Sequence, residues 1–488
     1  MSTTLWIDLD RHRETTLTQQ LYTQISGRIL AGELRAGERL PSSRQVAAEL
    51  KIARNVVTGV FEQLQSEGYI ETRPGSGTFV AALNVTPTPP APHGSARLPT
   101  TEPAAQNKGR PGDIAFHCGI PDLAAFPRAR WLQALRAVGF HAPAHIWSYV
   151  ETAGLRELRE LMARRLARVK GIACEPAQVV MTGGTAHALN LLGLFFAARM
   201  AQRGALVEDP VVRFVPEILR CCGHTITPVA VDNEGLVIDA LPPRPRATLV
   251  FVSPAHQFPL GGTLPVPRRL ALLAYARRHN LWVVEDDYDA EFRYQGVPVS
   301  SLARLDPERV IHLGTFSKVL APSLRLGYMV LPRGLAEEVT HTLRPLHLTG
   351  SAVNQAALAR LLAAGHLDRH VVRMRRLYQR KMRALCAELV TAFGERVRIS
   401  GHTTGLHLVV RLAGLTVNAQ VRAACEAAGV RFDTAADYAI RPRADNHRAI
   451  LLGFGDLTVD QIRQAVRRLQ SALRPFLNRG RRGGVGPV

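Results

Sequence analysis

A short segment late in the chain carries groups suited to covalent chemistry with an aldehyde. The sequence GTFSKVLAPSLRLGY, residues 314–328, places Thr315 and Ser317 next to Lys318 and Arg325 a little further on. A lysine that forms a Schiff base beside a phosphate needs hydroxyls and an arginine to neutralise the dianion. An arginine suits this role because its planar guanidinium can donate two parallel hydrogen bonds. The chain has only five lysines, so we expect Lys318 to be the reactive amine.

A second segment has the form of an anion-binding turn at the start of a helix. Residues 183–185, Gly-Gly-Thr, follow an apolar strand-like run and precede a long apolar stretch typical of a helix. The first backbone N–H groups of a helix have no partner within it, and with the helix dipole they favour an anion. We therefore expect Gly184 and Thr185 to bind the phosphate.

Carboxylates and a tyrosine follow another apolar run, LWVV at residues 281–284, in the sequence EDDYDAEFRY. A carboxylate at the end of a buried strand can pair with a protonated pyridine nitrogen, and a tyrosine hydroxyl can hold a ring oxygen. Asp286 and Tyr288 are the predicted partners, with Asp287 as an alternative to Asp286. Together with Lys318, these groups predict pyridoxal 5'-phosphate as the cofactor.

The first eighty residues have the pattern of a DNA-binding motif. Thr16 with Gln19, and Ser42 with Gln45, have the spacing of helix-capping pairs. A third helix is predicted for residues 54–68, directly after a tight connection. Residues 69–72 and 78–80 are typical of two strands around a glycine-rich turn. Two short helices with a tight connection, followed by a hairpin, predict a winged helix-turn-helix.

Three stretches of this region closely resemble the winged helix of GntR-type regulators: LPSSRQ at 40–45, RNVVTGVFEQLQSEG at 54–68 and GSGTFV at 75–80. In that family the N-terminus of the third helix enters the major groove of double-stranded DNA. The resemblance implies that Arg44 and Arg54 contact phosphates or guanine edges and that Asn55 reaches a base or the backbone. Gly75 and Gly77 would let the wing approach the minor groove.

The other motifs resemble one subgroup, the MocR-type regulators, which join a GntR-like winged helix to a fold type I aminotransferase-like domain. This resemblance covers nearly the whole chain and includes SPAHQFPLGG at 253–262, EDDYDAEFRY at 285–294 and LGTFSKVLAPSLRLGY at 313–328. It implies an α/β fold with a mainly parallel sheet flanked by helices and a smaller C-terminal subdomain. It also implies a head-to-tail homodimer in which Tyr149 would reach the phosphate bound by the partner subunit.

Three positions concern how a ligand would be held. Ordinary aminotransferases hold the ring oxygen with an Asn-Pro pair, whereas this chain has Phe258-Pro259, so the contact would pass to His256, Gln257 or a water molecule. Val212 stands where relatives place an aromatic ring against the cofactor. The family receives an amino-acid carboxylate on an arginine a few residues before a glycine near the C-terminus, a spacing that Arg448 has.

Composition divides the chain into regions. Residues 1–80 form the predicted DNA-binding domain, and residues 81–112, with seven prolines, a predicted linker. Residues 113–478 form the predicted aminotransferase-like domain, and residues 479–488 a predicted disordered basic tail. The formal net charge is +21, yet residues 1–80 hold nine basic and nine acidic residues, so the excess lies beyond them.

The sequence also predicts where the protein is located, and it argues against a membrane protein and a metal-binding protein. It has no run of about 18 apolar residues, and its start lacks the pattern of a signal peptide, so we expect a cytoplasmic protein that binds no membrane. Its six cysteines show no metal-ligand spacing, which favours reduced thiols and no metal site.

These observations favour a DNA-binding transcription regulator that depends on pyridoxal phosphate. It would sense a small amine or amino acid through an internal aldimine on Lys318, or pyridoxal phosphate itself would be the signal. The alternative is a catalytically active aminotransferase that carries a DNA-binding module. Multiple turnovers with an amino donor and a keto acid would favour the alternative.

Overall fold

The structure is a computed structural model that describes residues 7–13, 15–83, 110–296, 300–346 and 350–478. The chain forms two compact units, Met1–Asn107 and Lys108–Val488. The predicted linker, residues 81–112, lies largely outside the described residues. The predicted tail, residues 479–488, lies wholly outside them.

The first unit contains three helices and a hairpin: α1 (Leu17–Leu30), α2 (Ser43–Leu50), α3 (Arg54–Ser66), β1 (Ile70–Arg73) and β2 (Gly77–Val80). The two strands are antiparallel, with Ile70 opposite Val80. Both predicted capping pairs are confirmed. The Thr16 hydroxyl accepts a hydrogen bond from the Gln19 amide at 3.2 Å, and Ser42 and Gln45 cap each other reciprocally.

One face of α3 holds this unit together. Val57, Val60, Phe61 and Leu64 recur at helical spacing and are all buried in its core. Lys51, in the left-handed conformation with φ of 50°, ends α2 and makes the tight turn into α3. The unit is therefore a winged helix-turn-helix, as the sequence predicts.

The second unit contains fourteen of the described strands and eleven of the described α-helices, joined in part by short 3-10 turns. The strands are β3 (Ile114–Ala115), β4 (Val179–Thr182), β5 (Gly204–Asp209), β6 (Thr225–Asp232), β7 (Gly235–Leu236), β8 (Leu249–Val252), β9 (Trp282–Asp287), β10 (Val310–Thr315), β11 (Gly327–Val330), β12 (Val397–Ser400), β13 (His407–Leu412), β14 (Val430–Arg431), β15 (Asp433–Thr434) and β16 (Ile450–Gly453). The helices are α4 (Arg128–His141), α5 (Arg156–Lys170), α6 (Thr185–Arg199), α7 (Phe214–Cys221), α8 (Val266–Arg278), α9 (Leu302–Leu305), α10 (Arg333–Leu343), α11 (Ala352–Ala363), α12 (His366–Phe393), α13 (Ala419–Ala427) and α14 (Val459–Asn478).

The large sheet has the strand order β4-β11-β10-β9-β8-β5-β6-β7. The run from β10 to β6 is parallel, whereas β11 is antiparallel to both of its neighbours. Val283 and Val284, adjacent on β9, pack into different hydrophobic cores because successive side chains point to opposite faces. Both faces are covered, which explains the continuous apolar runs in these strands. The carboxyl ends of the parallel strands meet at one edge, where ligands bind in open α/β sheets.

A smaller antiparallel sheet, in the order β12-β13-β16-β15, forms the C-terminal subdomain. The long helix α12 packs against α14 and also contacts β12 and β13. The predicted fold class is confirmed: an α/β body with a mainly parallel sheet and a smaller C-terminal subdomain. Within the described ranges, no helix is both long enough and apolar enough to cross a bilayer.

Candidate functional site

Three predicted site residues meet at the carboxyl edge of the large sheet. Lys318 follows β10, Asp286 is the penultimate residue of β9, and Thr185 begins α6 directly after β4. The Thr185 hydroxyl donates a hydrogen bond to Asp286 Oδ1 at 3.3 Å. The edge of the sheet thus brings together Thr185 and Asp286, which are 101 residues apart in the sequence.

Lys318 is held in a close contact with the loop that follows β3. Its Nζ donates a hydrogen bond to the Gly119 carbonyl at 2.6 Å. A Cβ on Gly119, which has φ of +80°, would lie 2.7 Å from that Nζ, so the approach requires glycine. Burial lowers the pKa of Lys318, while the nearby carboxylates of Asp289 and Asp286 act in the opposite direction. Burial therefore favours the neutral, nucleophilic amine.

The two aspartates that the sequence left as alternatives lie in different environments. Burial, with repulsion from Asp287, raises the pKa of Asp286 to about 7, and the Thr185 hydroxyl opposes this shift. Asp287 instead forms a buried ion pair with Lys170, and its Oδ2 lies 3.7 Å from His312 Nε2. Of these two aspartates, Asp286 is the one that contacts Thr185, and among the described residues no cationic side chain pairs with it.

The predicted phosphate-binding groups converge at the N-terminus of α6. Gly184 caps this helix with φ of +107°. A Cβ added there would lie 3.8 Å from Thr315 Oγ1 and 3.9 Å from Ser317 Oγ. The Thr315 hydroxyl donates to Ser317 Oγ at 3.0 Å, so both hydroxyls face the same small space. We call these residues, Gly184, Thr185, Thr315 and Ser317, the glycine cup.

Arg325 is exposed and adopts the left-handed conformation, with φ of 50°. It lies near the cup, since burial and then the Arg325 charge lower the pKa of His187. His187 is tied to the same turn, because its Nδ1 accepts a hydrogen bond from the Gly183 amide at 2.8 Å. The cup therefore has a cation beside it whose guanidinium has no ion-pair partner in the described part of the chain.

Tyr288 belongs to a buried hydrogen-bonded group with His256 and Asp289. His256 Nδ1 lies 2.9 Å from Asp289 Oδ2 and 3.0 Å from the Tyr288 hydroxyl. With Asp289 ionised, the geometry favours the tautomer in which Nδ1–H donates to Asp289. Burial raises the pKa of Tyr288 well above its usual value, so the hydroxyl keeps its proton. His256, predicted to contact a ring oxygen, here orients the tyrosine.

His407 lies beside this group, with its ring tilted by 37° from the His256 ring and the two ring centroids 4.9 Å apart. Burial, then the electrostatic effect of His256, lowers the pKa of His407 to about 3, so this imidazole is neutral. His256, Asp289 and His407 are metal-ligand types whose ligand atoms lie within 4.8 Å of one another. However, His256 and Asp289 are hydrogen-bonded to each other, and His407 Nε2 donates to the Pro259 carbonyl at 3.0 Å.

Two predicted residues do not join this cluster. Tyr149 is 92% exposed, on the segment before α5. Arg448 is the exposed last residue of the 3-10 turn Ala444–Arg448. Leu451, on the adjacent strand β16, is buried and packs with Leu260 and Val409. Val212 is half-buried and packs against the core that includes α6.

The predicted DNA-contacting residues of the first unit are all accessible. Arg44 and Arg54 are exposed in the first turns of α2 and α3. Asn55 is exposed as well, although its Oδ1 accepts a hydrogen bond from the Val56 amide at 3.0 Å. Gly75 and Gly77 have φ of +75° and +111°, conformations that the hairpin turn requires and that other residues rarely adopt.

Several residues of these sites were missed by the sequence analysis. The Arg39 guanidinium lies against Gly77 of the wing, 3.0 Å from the position of an added Cβ. Asp289 and His407 were missed because nothing in a linear sequence shows that they meet His256. Asp289 does follow Tyr288 directly, and that acid-rich run was the signal that could have identified it.

Comparisons with known proteins cover both units. The family described as aminotransferase class I and II matches residues 118–442, and the bacterial regulatory proteins of the gntR family match residues 17–80. The probable rhizopine catabolism regulatory protein MocR of Rhizobium meliloti is 32% identical, with 95% of each chain covered. The pyridoxine biosynthesis transcriptional regulator PdxR of Corynebacterium glutamicum is 35% identical over 77% of this chain and 79% of its own.

Among solved structures, the second unit is similar to LysN, the α-aminoadipate aminotransferase of Thermus thermophilus. The TM-score is 0.66 at 26% identity, over 75% of this chain and 93% of LysN. That structure is a complex with N-(5'-phosphopyridoxyl)-L-leucine. A kynurenine aminotransferase of Pyrococcus horikoshii gives a TM-score of 0.67 at 25% identity, over 74% of this chain and 91% of its own.

We predict that Asp286→Asn changes how stability depends on pH in the cofactor-free protein. The folded pKa of Asp286 is raised from 3.8 to about 7, so folding favours its protonated form. That contribution is fully present below the unfolded pKa and is lost as pH rises through the folded one. The unfolding temperature of the variant should therefore rise relative to wild type between about pH 4 and pH 7 and then level off.

Exposed Asp239→Asn is the matched control, and its difference from wild type should stay constant over the same interval. Thermal unfolding after removal of bound cofactor measures both variants. A pH-independent effect of Asp286→Asn would contradict the raised pKa.

Proposed function

Because this chain belongs to the GntR-type transcription regulators that carry an aminotransferase class I and II domain, the group that includes MocR, we propose that its large domain binds pyridoxal 5'-phosphate through Lys318. The bound cofactor, or an amine or amino acid that reacts with it, would then control how the winged helix binds DNA. The carrying observation is the arrangement of a half-buried lysine, a buried aspartate without a cationic partner among the described residues, and a glycine cup at one edge of the sheet.

The residues present fit this cofactor. The position above Gly184 lies beside two hydroxyls and the N-terminus of α6, groups that favour an anion such as phosphate. Asp286 is 5% exposed, and among the described residues its one side-chain hydrogen-bond partner is the Thr185 hydroxyl. A protonated ring nitrogen would supply the missing positive charge. The phosphopyridoxyl ligand of the similar LysN structure supports the same conclusion.

Each residue then has a distinct task. Lys318 would supply the amine that attacks the aldehyde, and Asp286 would keep the ring nitrogen protonated. Tyr288, oriented by His256, would donate its proton to the ring oxygen. Gly184, Thr185, Thr315, Ser317 and Arg325 would bind the phosphate, and Tyr149 would reach the partner's phosphate in a head-to-tail homodimer. When bound, pyridoxal phosphate supplies an electron-withdrawing ring and an aldehyde that exchanges amines.

The winged helix would read double-stranded DNA as other helix-turn-helix proteins do. The N-terminus of α3, with Arg54 and Asn55, would enter the major groove, while Arg44 on α2 would contact the phosphate backbone. Gly75 and Gly77 would let the wing approach the minor groove. A homodimer would present two winged helices to two half-sites, so a change in domain packing would alter their spacing.

We predict that Lys318→Ala abolishes the visible absorption that the wild-type protein acquires with pyridoxal phosphate. Two of the other described lysines are in ion pairs, Lys170 with Asp287 and Lys381 with Asp122. The third, Lys51, lies at the end of α2 in the first unit. Lys51→Ala should therefore retain the absorption. A Lys318→Ala protein that still forms a borohydride-reducible bond to the cofactor would rule out the assignment.

We predict that Arg54→Ala weakens operator binding by about 1 to 3 kcal/mol and relaxes specificity at one base position if Arg54 is bidentate to guanine. If Arg54 binds a phosphate, the loss should be uniform across sequences, with about one unit less dependence of log affinity on log salt. Affinity measurements on single-base operator variants at several salt concentrations separate these results. Unchanged affinity and slope would exclude Arg54 from the interface.

We predict that Arg448→Ala keeps the cofactor absorption and basal DNA binding, because Arg448 is exposed and does not contact the Lys318 cluster. If an amino-acid effector docks its carboxylate there and buries the resulting ion pair, its apparent affinity should fall more than tenfold, since loss of one side of a buried charge pair costs about 2 to 5 kcal/mol. Titration with candidate amines, followed by absorption and by operator affinity, measures this. Arg441→Ala, an exposed arginine of the same region, is the control.

If Arg448→Ala responds normally to every ligand that affects the wild type, Arg448 does not bind the effector and has only a structural role. A wild-type protein that responds to no amine, while its DNA binding follows pyridoxal phosphate concentration, would identify the cofactor as the signal.

A further inference from the structure

Helix α12 carries five arginines in one straight line on its surface. They are separated alternately by four and three residues, so all of them lie on the same face of the helix. All five are exposed. We call this set the arginine stripe: Arg369, Arg373, Arg376, Arg380 and Arg383.

No carboxylate neutralises the arginine stripe within the described residues. The two acids on α12 are used elsewhere, because Asp368 pairs with Arg165 and Arg168, and Glu388 pairs with Arg463. Consecutive stripe residues are like-charged neighbours, and each such pair destabilises a helix by about 0.2 to 0.5 kcal/mol. The chain thus maintains an unfavourable row of positive charge along this helix.

A basic groove continues the stripe at the N-terminal end of α12. It has a volume of about 340 Å³, and its lining contains three arginines and two histidines but no acid. Arg130, on α4, faces Arg369 and Arg373 across this groove. Burial, then the charges of Arg130 and Arg369, lowers the pKa of His366, and burial lowers the pKa of His370 to about 4, with Arg373 adding to the shift. Two separate elements therefore contribute to one positive surface.

The distribution of charge along the chain agrees with a role for this surface. Residues 1–80, which contain the winged helix, are formally neutral, and the whole net charge of +21 belongs to the rest of the chain. Binding to double-stranded DNA depends strongly on phosphate neutralisation by lysine and arginine. A neutral winged helix supplies few of these contacts, so another part of the protein is the natural source of the remainder.

We propose that the arginine stripe binds the sugar-phosphate backbone of double-stranded DNA, so that the aminotransferase-like domain is itself part of the DNA-binding surface. This goes beyond cofactor binding and rests only on DNA binding by the winged helix. The stripe spans about 21 Å at a rise of about 1.5 Å per residue. A duplex carries one phosphate charge per about 1.7 Å of its axis, so about twelve phosphates lie along that length on its two strands, more than the stripe has arginines.

The test replaces the three C-terminal members of the stripe, Arg376→Gln, Arg380→Gln and Arg383→Gln, in the full-length protein. The probes are a duplex from upstream of the coding region and a scrambled duplex of equal length. Each phosphate contact contributes about 0.9 to the slope of log affinity against log salt, so the slope should fall by about 2 to 3. Between about 50 and 200 mM salt, wild type should lose about fortyfold more affinity than the triple variant, on both probes.

Two further proteins make the result specific. The control Arg220→Gln, Arg278→Gln and Arg467→Gln removes the same charge from exposed positions scattered over the large domain, and should keep the wild-type slope. Replacing the three stripe arginines by lysine keeps the charge and should also keep the slope. The proposal is overturned if the stripe variant retains the wild-type slope, or if the scattered control lowers the slope equally. Intact cofactor absorption in every variant separates either failure from a failure of the cofactor site.

Discussion

The half-buried amine of Lys318 and the buried carboxyl of Asp286 stand at the same edge of the large sheet, and neither has a full counter-charge among the described residues. Burial moves the two pKa values in opposite directions, downward for the lysine and to about 7 for the aspartate, so each tends towards its neutral form. Such an arrangement is costly without a ligand, because buried ionisable groups are normally paired. Pyridoxal phosphate would provide an aldehyde for the amine and a protonated ring nitrogen for the carboxyl.

The three acids at the end of β9 have different surroundings on the two faces of the strand. Glu285 and Asp287 point to one face, where His312 and Lys170 satisfy them. Burial alone would raise the pKa of Glu285, but His312, Ser301 and the Leu302 amide lower it to about 2. Asp286 points to the opposite face, where its side-chain hydrogen-bond partner among the described residues is Thr185. The alternation of side chains along a strand thus assigns adjacent acids to different roles.

The same separation of tasks applies to the two units. The winged helix offers exposed arginines and left-handed glycines for recognition, but its balanced charge provides little general attraction to DNA. Positive charge is concentrated on the larger unit, and on α12 it forms a row without acidic partners. Recognition of sequence and neutralisation of phosphates can therefore reside on different parts of one regulator.

The sequence by itself determined the two-part architecture and predicted the cofactor and the principal site residues. Capping pairs at Thr16 and Ser42, the hydroxyl-rich turn before Lys318 and the glycine turn before α6 are local patterns, and local patterns can be read along the chain. Only the tertiary structure separated Asp286 from Asp287, because the choice depends on which face of β9 meets Thr185, a residue about a hundred positions away. It also joined Asp289 and His407 to His256 and left Arg448 outside the cluster, since strand pairing fixes those positions and no linear spacing records it.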